Sequence, residues 1–198
     1  MERGELPNDQ ALFDLFTIGH SNHPIDHFVA LLRGAGVTAL ADVRSQPFSR
    51  RSPWFSAGAL RERLATEGIA YVPMGDALGG RPRDPMLLRD GVPDYAAMAA
   101  TPEFRAGIDR VVEGTRRFRV CLMCAEREPL ACHRCLLVAP AFAERGLRVG
   151  HLLADGSIVA HATIEPRLLA ASNDLFPDDP PRGRAMVSRR RGRAIKSS

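Results

Sequence analysis

The chain has 198 residues, of which 45% are hydrophobic and 25% charged, and its formal net charge is +4. This length fits one domain of ~150 residues with appendages, and the hydrophobic fraction excludes a chain that is disordered throughout. No apolar run approaches the ~20 residues of a membrane span, and the N-terminus lacks the basic start and apolar stretch of a signal peptide. We therefore expect a cytoplasmic protein that has no membrane partner.

Positive charge is concentrated at the C-terminus. Residues 182–198 contain seven basic side chains and no acidic ones, whereas residues 1–181 contain 20 basic and 23 acidic side chains. This composition predicts a single α/β domain over residues 12–176, followed by a disordered, arginine-rich tail over residues 177–198. Two interpretations of the tail stay open, because it either binds nucleic-acid phosphates without reading their sequence or is a solvated segment that aids solubility.

Apolar runs and helical spacings alternate along the chain. The runs predict strands over residues 12–18, 37–43, 69–72, 118–123 and 147–153. Apolar spacing, capping residues and terminal glycines predict helices over residues 24–34, 56–68, 94–100, 102–113, 132–145 and 165–171. Such alternation is typical of a mainly parallel sheet with helices on both faces. The Gly-, Pro- and Arg-rich segment 73–93 has no clear period, and its length predicts a functional loop or lid.

Three polar clusters come directly after predicted strands: Gly19-His20-Ser21, Asp42-Val43-Arg44 and Cys124-Ala125-Glu126. In a parallel sheet the carboxyl ends of the strands lie on one edge, where ligands bind. We therefore expect the three clusters to line a shared site. His20 is then an acid–base group, or a histidine that only satisfies loop carbonyls. Arg44 binds the ligand or pairs with Glu126, since a simple pair with Asp42 is not assured.

The four cysteines are spaced as two Cys-x2-Cys pairs, which resembles a zinc-binding pattern. The pairs are much closer together than the ~15–20 residues that usually separate paired zinc knuckles. In addition, Cys121 and Cys124 point to opposite faces if they share a strand. We therefore disfavour a structural zinc held by four cysteines, and we expect Cys121 and Cys135 to behave as small buried hydrophobes.

Cys124 and Cys132 differ from the other two because one ends a strand and the other begins a helix beside His133 and Arg134. A helix N-terminus and neighbouring cations lower the pKa of a thiol, and exposed amides there bind anions. The interpretations are thiol chemistry, anion binding, or a metal site of Cys124, Cys132 and His133 with an open position. The alternative is a pair of inert thiols, with His133 and Arg134 bonding the loop.

Aromatic side chains alternate with arginines in the loop that follows the second predicted strand. Phe48, Trp54 and Phe55 lie among Arg50 and Arg51. This arrangement is able to stack bases and hold phosphates, although a hydrophobic flap with solvated arginines is the simpler interpretation. The remaining histidines are interpreted as structural or solvated: His23, His27, His151 and His161.

The order of these motifs resembles a bacterial and archaeal family called domain of unknown function 488. The resemblance spans residues 16–152 and rests on Thr17-Ile18-Gly19-His20-Ser21, Asp42-Val43-Arg44 with Pro47 and Ser49-Arg50, Tyr71, Leu78-Gly79-Gly80, and Cys124-x-Glu126 with Cys132-His133-Arg134. The family name implies no activity, and Cys121, Cys135 and the tail lie outside its pattern. A weaker similarity to rhodanese-like domains, which share an Asp-x-Arg and a later cysteine after strands, implies a Rossmann-like or rhodanese-like layering.

Together these features predict a Cys/His/Arg site that acts on a small anionic or nucleotide-like ligand. The expected catalytic residues are Cys124, Cys132, His133, Glu126, His20 and Asp42. The expected ligand-binding residues are Ser21, Arg44, Arg50, Tyr71, Gly79, Gly80 and Arg134. The alternatives are a nucleic-acid-binding module, which uses the arginine–aromatic loop and the tail, and a metal-binding protein without catalysis.

Overall fold

A computed structural model describes residues 12–164 and residue 166. Apart from residue 166, the helix predicted over residues 165–171 lies outside the described residues, as does the tail predicted over residues 177–198. Within the described part, no helix has the length and apolar character needed to cross a membrane.

The centre of the fold is a six-stranded sheet. The strands, in chain order, are β1 (Leu15–Gly19), β2 (Ala39–Asp42), β3 (Ala70–Pro73), β4 (Leu88–Arg89), β5 (Val92–Pro93), β6 (Val120–Cys124), β7 (Val149–Leu152) and β8 (Ile158–Ala160). The sheet order is β3-β2-β6-β1-β7-β8, and every pair is parallel except β7 with β8. This confirms the mainly parallel sheet. The sequence did not predict the antiparallel strand β8, which has only three residues.

Helices cover both faces of the sheet, as predicted. The α-helices are α1 (Ile25–Gly34), α2 (Ala57–Ala65), α3 (Gly75–Leu78), α4 (Tyr95–Ala100), α5 (Pro102–Thr115) and α6 (Ala139–Ala143). One apolar cluster packs α1 and α2 against strand residues such as Phe16 and Cys121. The other packs α3 to α6 against residues such as Leu122 and Cys124. Cys121 and Cys124 therefore face opposite sides of the sheet, as the alternation of a strand requires.

Two of the helices begin at side-chain caps. A carboxylate oxygen of Asp94 accepts the backbone N–H of Ala97 over 3.0 Å, and the hydroxyl of Thr101 accepts that of Phe104 over 3.2 Å. Caps of this kind satisfy N–H groups that have no partner inside the helix. They fix the residues at which α4 and α5 begin.

The helix predicted over residues 132–145 divides into a π-helix, Arg134–Val138, followed by α6. Pro140 has no backbone N–H and therefore cannot continue a regular ladder of helical hydrogen bonds, so the widened turn before it is the physical reason for the departure. The segment 73–93 also departs from the expected loop, because it contains α3, a 3-10 turn over Pro85–Leu87 and the hairpin of β4 and β5.

Candidate functional site

The ends of β1, β2 and β6 meet at one edge of the sheet. β6 lies between the other two strands, and Gly19 aligns with Cys124 while Asp42 aligns with Met123. The backbone N–H of His20 donates to the carbonyl of Cys124 over 2.9 Å. The structure thus brings the three polar clusters of the sequence to a single place.

Two thiols, a carboxylate and an imidazole converge there. The Sγ atoms of Cys124 and Cys132 donate to Oε2 of Glu126 over 2.8 and 3.2 Å. Nδ1 of His133 lies 3.5 Å from the first sulfur and 3.9 Å from the second, and the four atoms lie within 4.8 Å of one another. Ligands on one tetrahedral ion with usual bond lengths are separated by about 3.3–3.8 Å. We call these four residues the Cys–His–Glu cluster.

The imidazole of His133 is oriented by the backbone of the neighbouring strand segment. Its Nε2 lies 3.0 Å from the carbonyl oxygen of Val43. Because a carbonyl only accepts hydrogen bonds, Nε2 carries the proton and Nδ1 presents its lone pair to the thiols. A histidine held in this way is arranged as metal-bound histidines are.

Burial and the neighbouring groups set the protonation of the cluster. Burial raises the pKa of the Cys132 thiol well above its ordinary value, and Cys124 adds to this, while His133 acts in the opposite direction. Burial also raises the pKa of Glu126, but hydrogen bonds from the two thiols outweigh it, and the net pKa is lowered. The direction of this pKa favours a protonated Cys132 thiol over the thiolate of the thiol-chemistry interpretation, because burial outweighs the neighbouring basic groups.

Arg44 forms a buried, bidentate ion pair with Asp42. Its Nε and Nη2 donate to the two carboxylate oxygens over 2.8 and 2.6 Å, and the two side chains are 5% and 1% exposed. The hydroxyl of Tyr71 donates to the same carboxylate over 2.7 Å. Of the two interpretations of Arg44, the pairing with Glu126 is therefore wrong. Residues two apart along an extended chain point to the same side, so Asp42 is the nearer partner.

His20 is buried between Arg44 and the loop. Its Nδ1 donates to the carbonyl of Ser21 over 2.8 Å, so Nε2 carries a lone pair and accepts from Nη1 of Arg44 over 3.1 Å. Its ring stacks on Phe55 at 4.3 Å. Burial, and then the charge of Arg44, lower the pKa of His20 to about 4. Both nitrogens are thus engaged, and the imidazole is neutral at neutral pH.

Arg134 is fully buried and stabilises the loop that follows β6. Its guanidinium donates to the carbonyl oxygens of Glu126 and Arg127. A Cβ added at Gly19 would lie 1.9 Å from the carbonyl oxygen of Glu126, so only glycine allows this close approach. Arg134 does not line the cavity described below, and its Nη1 and Nη2 groups are engaged by the backbone.

The two glycines of the predicted ligand-binding set pack closely against this region. A Cβ at Gly80 would lie 2.5–2.8 Å from atoms of the His133 ring, and one at Gly79 would lie 2.3 Å from Oγ of Ser45. The same hydroxyl accepts the backbone N–H of Arg81 over 3.0 Å. These contacts place segment 79–81 directly over the Cys–His–Glu cluster.

A cavity of about 540 Å³ opens beside the cluster, and its size is within the range of small-molecule sites. It is lined by Arg44, Ser45, Gln46, Phe48, Gly80, Arg81, Pro93, Tyr95, Cys124, Ala125, Glu126, Ala131 and His133. Eight of the predicted site residues are not part of this lining: His20, Ser21, Asp42, Arg50, Tyr71, Gly79, Cys132 and Arg134. Six of these residues contact lining residues or one another: His20, Asp42, Tyr71, Gly79, Cys132 and Arg134. Arg50 is exposed, and Ser21 bonds Asn22.

Arg81 and Tyr95 line the cavity but were not identified from the sequence. Burial raises the pKa of Tyr95 to about 12, and Cys132, Cys124 and Glu126 add to this. Arg81 directly follows Gly79-Gly80, a signal that was available in the sequence. Tyr95 follows the cap of α4 and gives no comparable signal.

The family described as Domain of unknown function DUF488 matches residues 24–140, more than half of the chain. The chain belongs to this family. The matched residues include Asp42, Arg44 and the whole Cys–His–Glu cluster. His20 precedes them. No curated protein and no solved structure matches the chain. Assignment of a function to this DUF488 protein therefore depends on its own site.

Proposed function

We propose that this DUF488 protein is a metal-dependent enzyme in which Cys124, Cys132 and His133 bind a zinc ion. The observation that carries the proposal is the convergence of two sulfurs, one carboxylate oxygen and one imidazole lone pair within 4.8 Å. A divalent cation at that point replaces the two thiol protons and is neutralised by the resulting thiolates. Two cysteines and a histidine are a common ligand set for catalytic zinc.

A thiol nucleophile explains the same residues less well. Nucleophilic cysteines need a depressed pKa and positive surroundings. Here burial raises the pKa of Cys132, and both sulfurs face the carboxylate of Glu126 over 2.8 and 3.2 Å. A carboxylate beside a sulfur opposes the thiolate unless a cation lies between them.

Catalysis needs one coordination position open to substrate, and the cavity supplies the space for it. Cys124, Glu126 and His133 all line the cavity, whereas Cys132 is on the buried side. We infer that a zinc ion held by Cys124, Cys132 and His133 would lower the pKa of a water molecule at the open position. The Glu126 carboxylate would be placed to take a proton from that water as its oxygen bonds to the substrate. Glu126 would then give the proton to the group that leaves when the substrate bond breaks.

The cavity also offers cationic donors for an anionic ligand. Four of the five N–H groups of Arg44 donate to Asp42, Phe55 and His20, which leaves one on Nη1. Arg81 is exposed, and its side chain has no ion-pair partner among the described residues. Phe48 is 69% exposed and lines the same cavity. An arginine and an exposed ring beside a metal fit a small anionic or nucleotide-like ligand.

The first experiment measures metal bound per chain in three full-length proteins. We expect the wild type to be purified with zinc and Cys132→Ser to lose one ion per chain. Cys121→Ser is the matched control, because Cys121 is equally buried but faces the other side of the sheet. Equal metal content in Cys132→Ser and the wild type would contradict the proposed ligand set.

A second experiment tests for the open position. Cobalt(II) replaces zinc in such sites and gives a visible spectrum that changes when an exogenous ligand coordinates. We expect azide or phosphate to change the spectrum of the cobalt protein, and Glu126→Gln to shift the pH at which bound water titrates. A spectrum unaffected by anions and by pH would indicate a closed structural site and would remove the catalytic part of the proposal.

A further inference from the structure

A second group of metal-ligating side chains lies outside the cavity. Cys135, His151 and His161 are 0%, 0% and 2% exposed, and one ligand atom from each lies within 4.8 Å of the others. They come from three separate segments: the π-helix, β7, and the position directly after β8. None of them belongs to the Cys–His–Glu cluster.

The distances inside this second group suit a shared ion. Nε2 of His151 lies 3.1 Å from Nδ1 of His161, which in turn lies 3.9 Å from Sγ of Cys135. Ligands on one tetrahedral or trigonal ion with usual bonds are separated by about 3.2–3.9 Å, so the sulfur–nitrogen distance is within this range and the two imidazole nitrogens would move apart by about 0.1 Å. The two rings are nearly perpendicular, at 68°, so they do not stack against each other and their nitrogens converge.

Thr17 orients the imidazole of His151. Thr17 and His151 are register partners on the parallel strands β1 and β7, so their side chains share one face of the sheet. Oγ1 of Thr17 lies 2.7 Å from Nδ1 of His151, which leaves Nε2 directed at His161. A hydroxyl or carbonyl on the far nitrogen is the usual outer partner of a metal-bound histidine.

The π-helix contributes the remaining donor, Cys135, to this second group. Such widened turns occur preferentially at functional sites.

We propose that Cys135, His151 and His161 form a second metal site, which binds a soft d10 cation such as zinc(II) or copper(I). Thiolate and imidazole are the ligands that these ions prefer. On binding, the Cys135 thiol gives its proton to solvent, a metal–sulfur bond forms, and the lone pairs of the two imidazoles complete the site. The ion links the π-helix to β7 and to the end of β8, and it has no contact with the cavity.

The test uses cadmium(II), a d10 ion whose NMR signal moves with the number of bound sulfurs. We expect two signals from the cadmium-loaded wild type, one from the two-sulfur Cys–His–Glu cluster and one from the one-sulfur second site. Cys135→Ser should remove only the second signal, Cys132→Ser should disturb only the first, and Cys121→Ser should keep both. A single signal in the wild type that survives in Cys135→Ser would overturn the second site.

Copper(I) is tested separately in a variant that lacks both thiols of the first cluster, Cys124→Ser with Cys132→Ser. One copper(I) per chain, lost on adding Cys135→Ser, supports a site that prefers the monovalent ion. Zinc bound in the same pattern, without copper(I), supports the divalent ion. If neither metal binds in this background and the wild type shows only one cadmium signal, the three residues form an ordinary buried hydrogen-bonded group and the proposal is wrong. Nitrogen NMR of the histidine rings in the wild type shows whether His151 and His161 bind a metal, and it needs no substitution.

Discussion

Nε2 of His133 lies 3.0 Å from the carbonyl oxygen of Val43, the residue directly after β2. This bond joins the helical segment after Cys132 to the neighbouring strand and directs Nδ1 toward the two thiols. The position of the ring also depends on segment 79–81, which packs against it. The metal chemistry proposed above therefore depends on residues that hold the imidazole as well as on the ligands.

Gly80→Ala is expected to weaken metal binding at the Cys–His–Glu cluster by about 10- to 100-fold, the effect usual for a changed outer contact of a ligand. The added Cβ would lie 2.5 Å from Cγ of His133, so the ring must move. Competition with a chelator measures the affinity. Gly58→Ala is the control, since its Cβ meets nothing within 4 Å, and it should leave the affinity unchanged. Equal affinities in both variants would show that the contact does not position His133.

Asp42→Asn is expected to lower the free energy of unfolding by about 3–5 kcal/mol, because it leaves the buried guanidinium of Arg44 without its charge partner. Denaturant unfolding measures the loss. Asp76→Asn is the matched control, since it breaks the exposed pair with Arg83 at 3.3 Å and should cost at most about 1 kcal/mol. A loss below about 1 kcal/mol in Asp42→Asn would mean that water or another acceptor replaces the carboxylate.

His20 should make the protein sensitive to mild acid. Its pKa is lowered to about 4 in the folded state, whereas the unfolded chain titrates near its ordinary value of 6.5. Between these values the unfolded state binds the proton and the folded state does not, so the free energy of unfolding falls as pH falls. The full effect is about 3 kcal/mol and is absent above pH 6.5.

His20→Gln keeps a donor and an acceptor but cannot be protonated, so it should lose less stability than the wild type between pH 7 and pH 4. Urea unfolding at several pH values measures the two slopes. Parallel slopes would show that His20 titrates alike in the folded and unfolded states.

Phe48→Ala is expected to weaken binding of a nucleoside monophosphate while leaving the affinity for inorganic phosphate unchanged. Stacking of a base on an aromatic ring contributes about 1–3 kcal/mol, which corresponds to about 5- to 150-fold in affinity. Calorimetric titration of the metal-loaded protein measures both ligands. Phe118→Ala, an exposed aromatic at the opposite edge of the sheet, is the control. An equal effect on both ligands, or none on either, would argue against a nucleotide-like substrate.

The sequence predicted the layered parallel sheet because apolar runs and the glycines that end helices are visible in neighbouring residues of the chain. It also located the Cys–His–Glu cluster, since polar residues that directly follow strands meet at the carboxyl edge of a parallel sheet. The family resemblance through Cys124, Glu126, Cys132 and His133 pointed to the same residues, and the DUF488 match includes them.

Other features had no local signal. Arg44 contacts Asp42 and His20, and Tyr95 lines the cavity together with Cys124, because separate segments pack against the same edge. The raised pKa of Cys132 likewise depends on burial, and the burial of Cys132 cannot be predicted from its neighbours in the chain.

The sequence by itself determined which residues end the strands and therefore which of them meet at the edge of the sheet. Only the tertiary structure decided that the thiols face a carboxylate, that Nδ1 of His133 points at them, and that Cys135 meets two histidines. The physical reason is that strand alternation depends on neighbouring residues alone, whereas protonation and ligand geometry depend on groups as many as 134 positions apart in the chain.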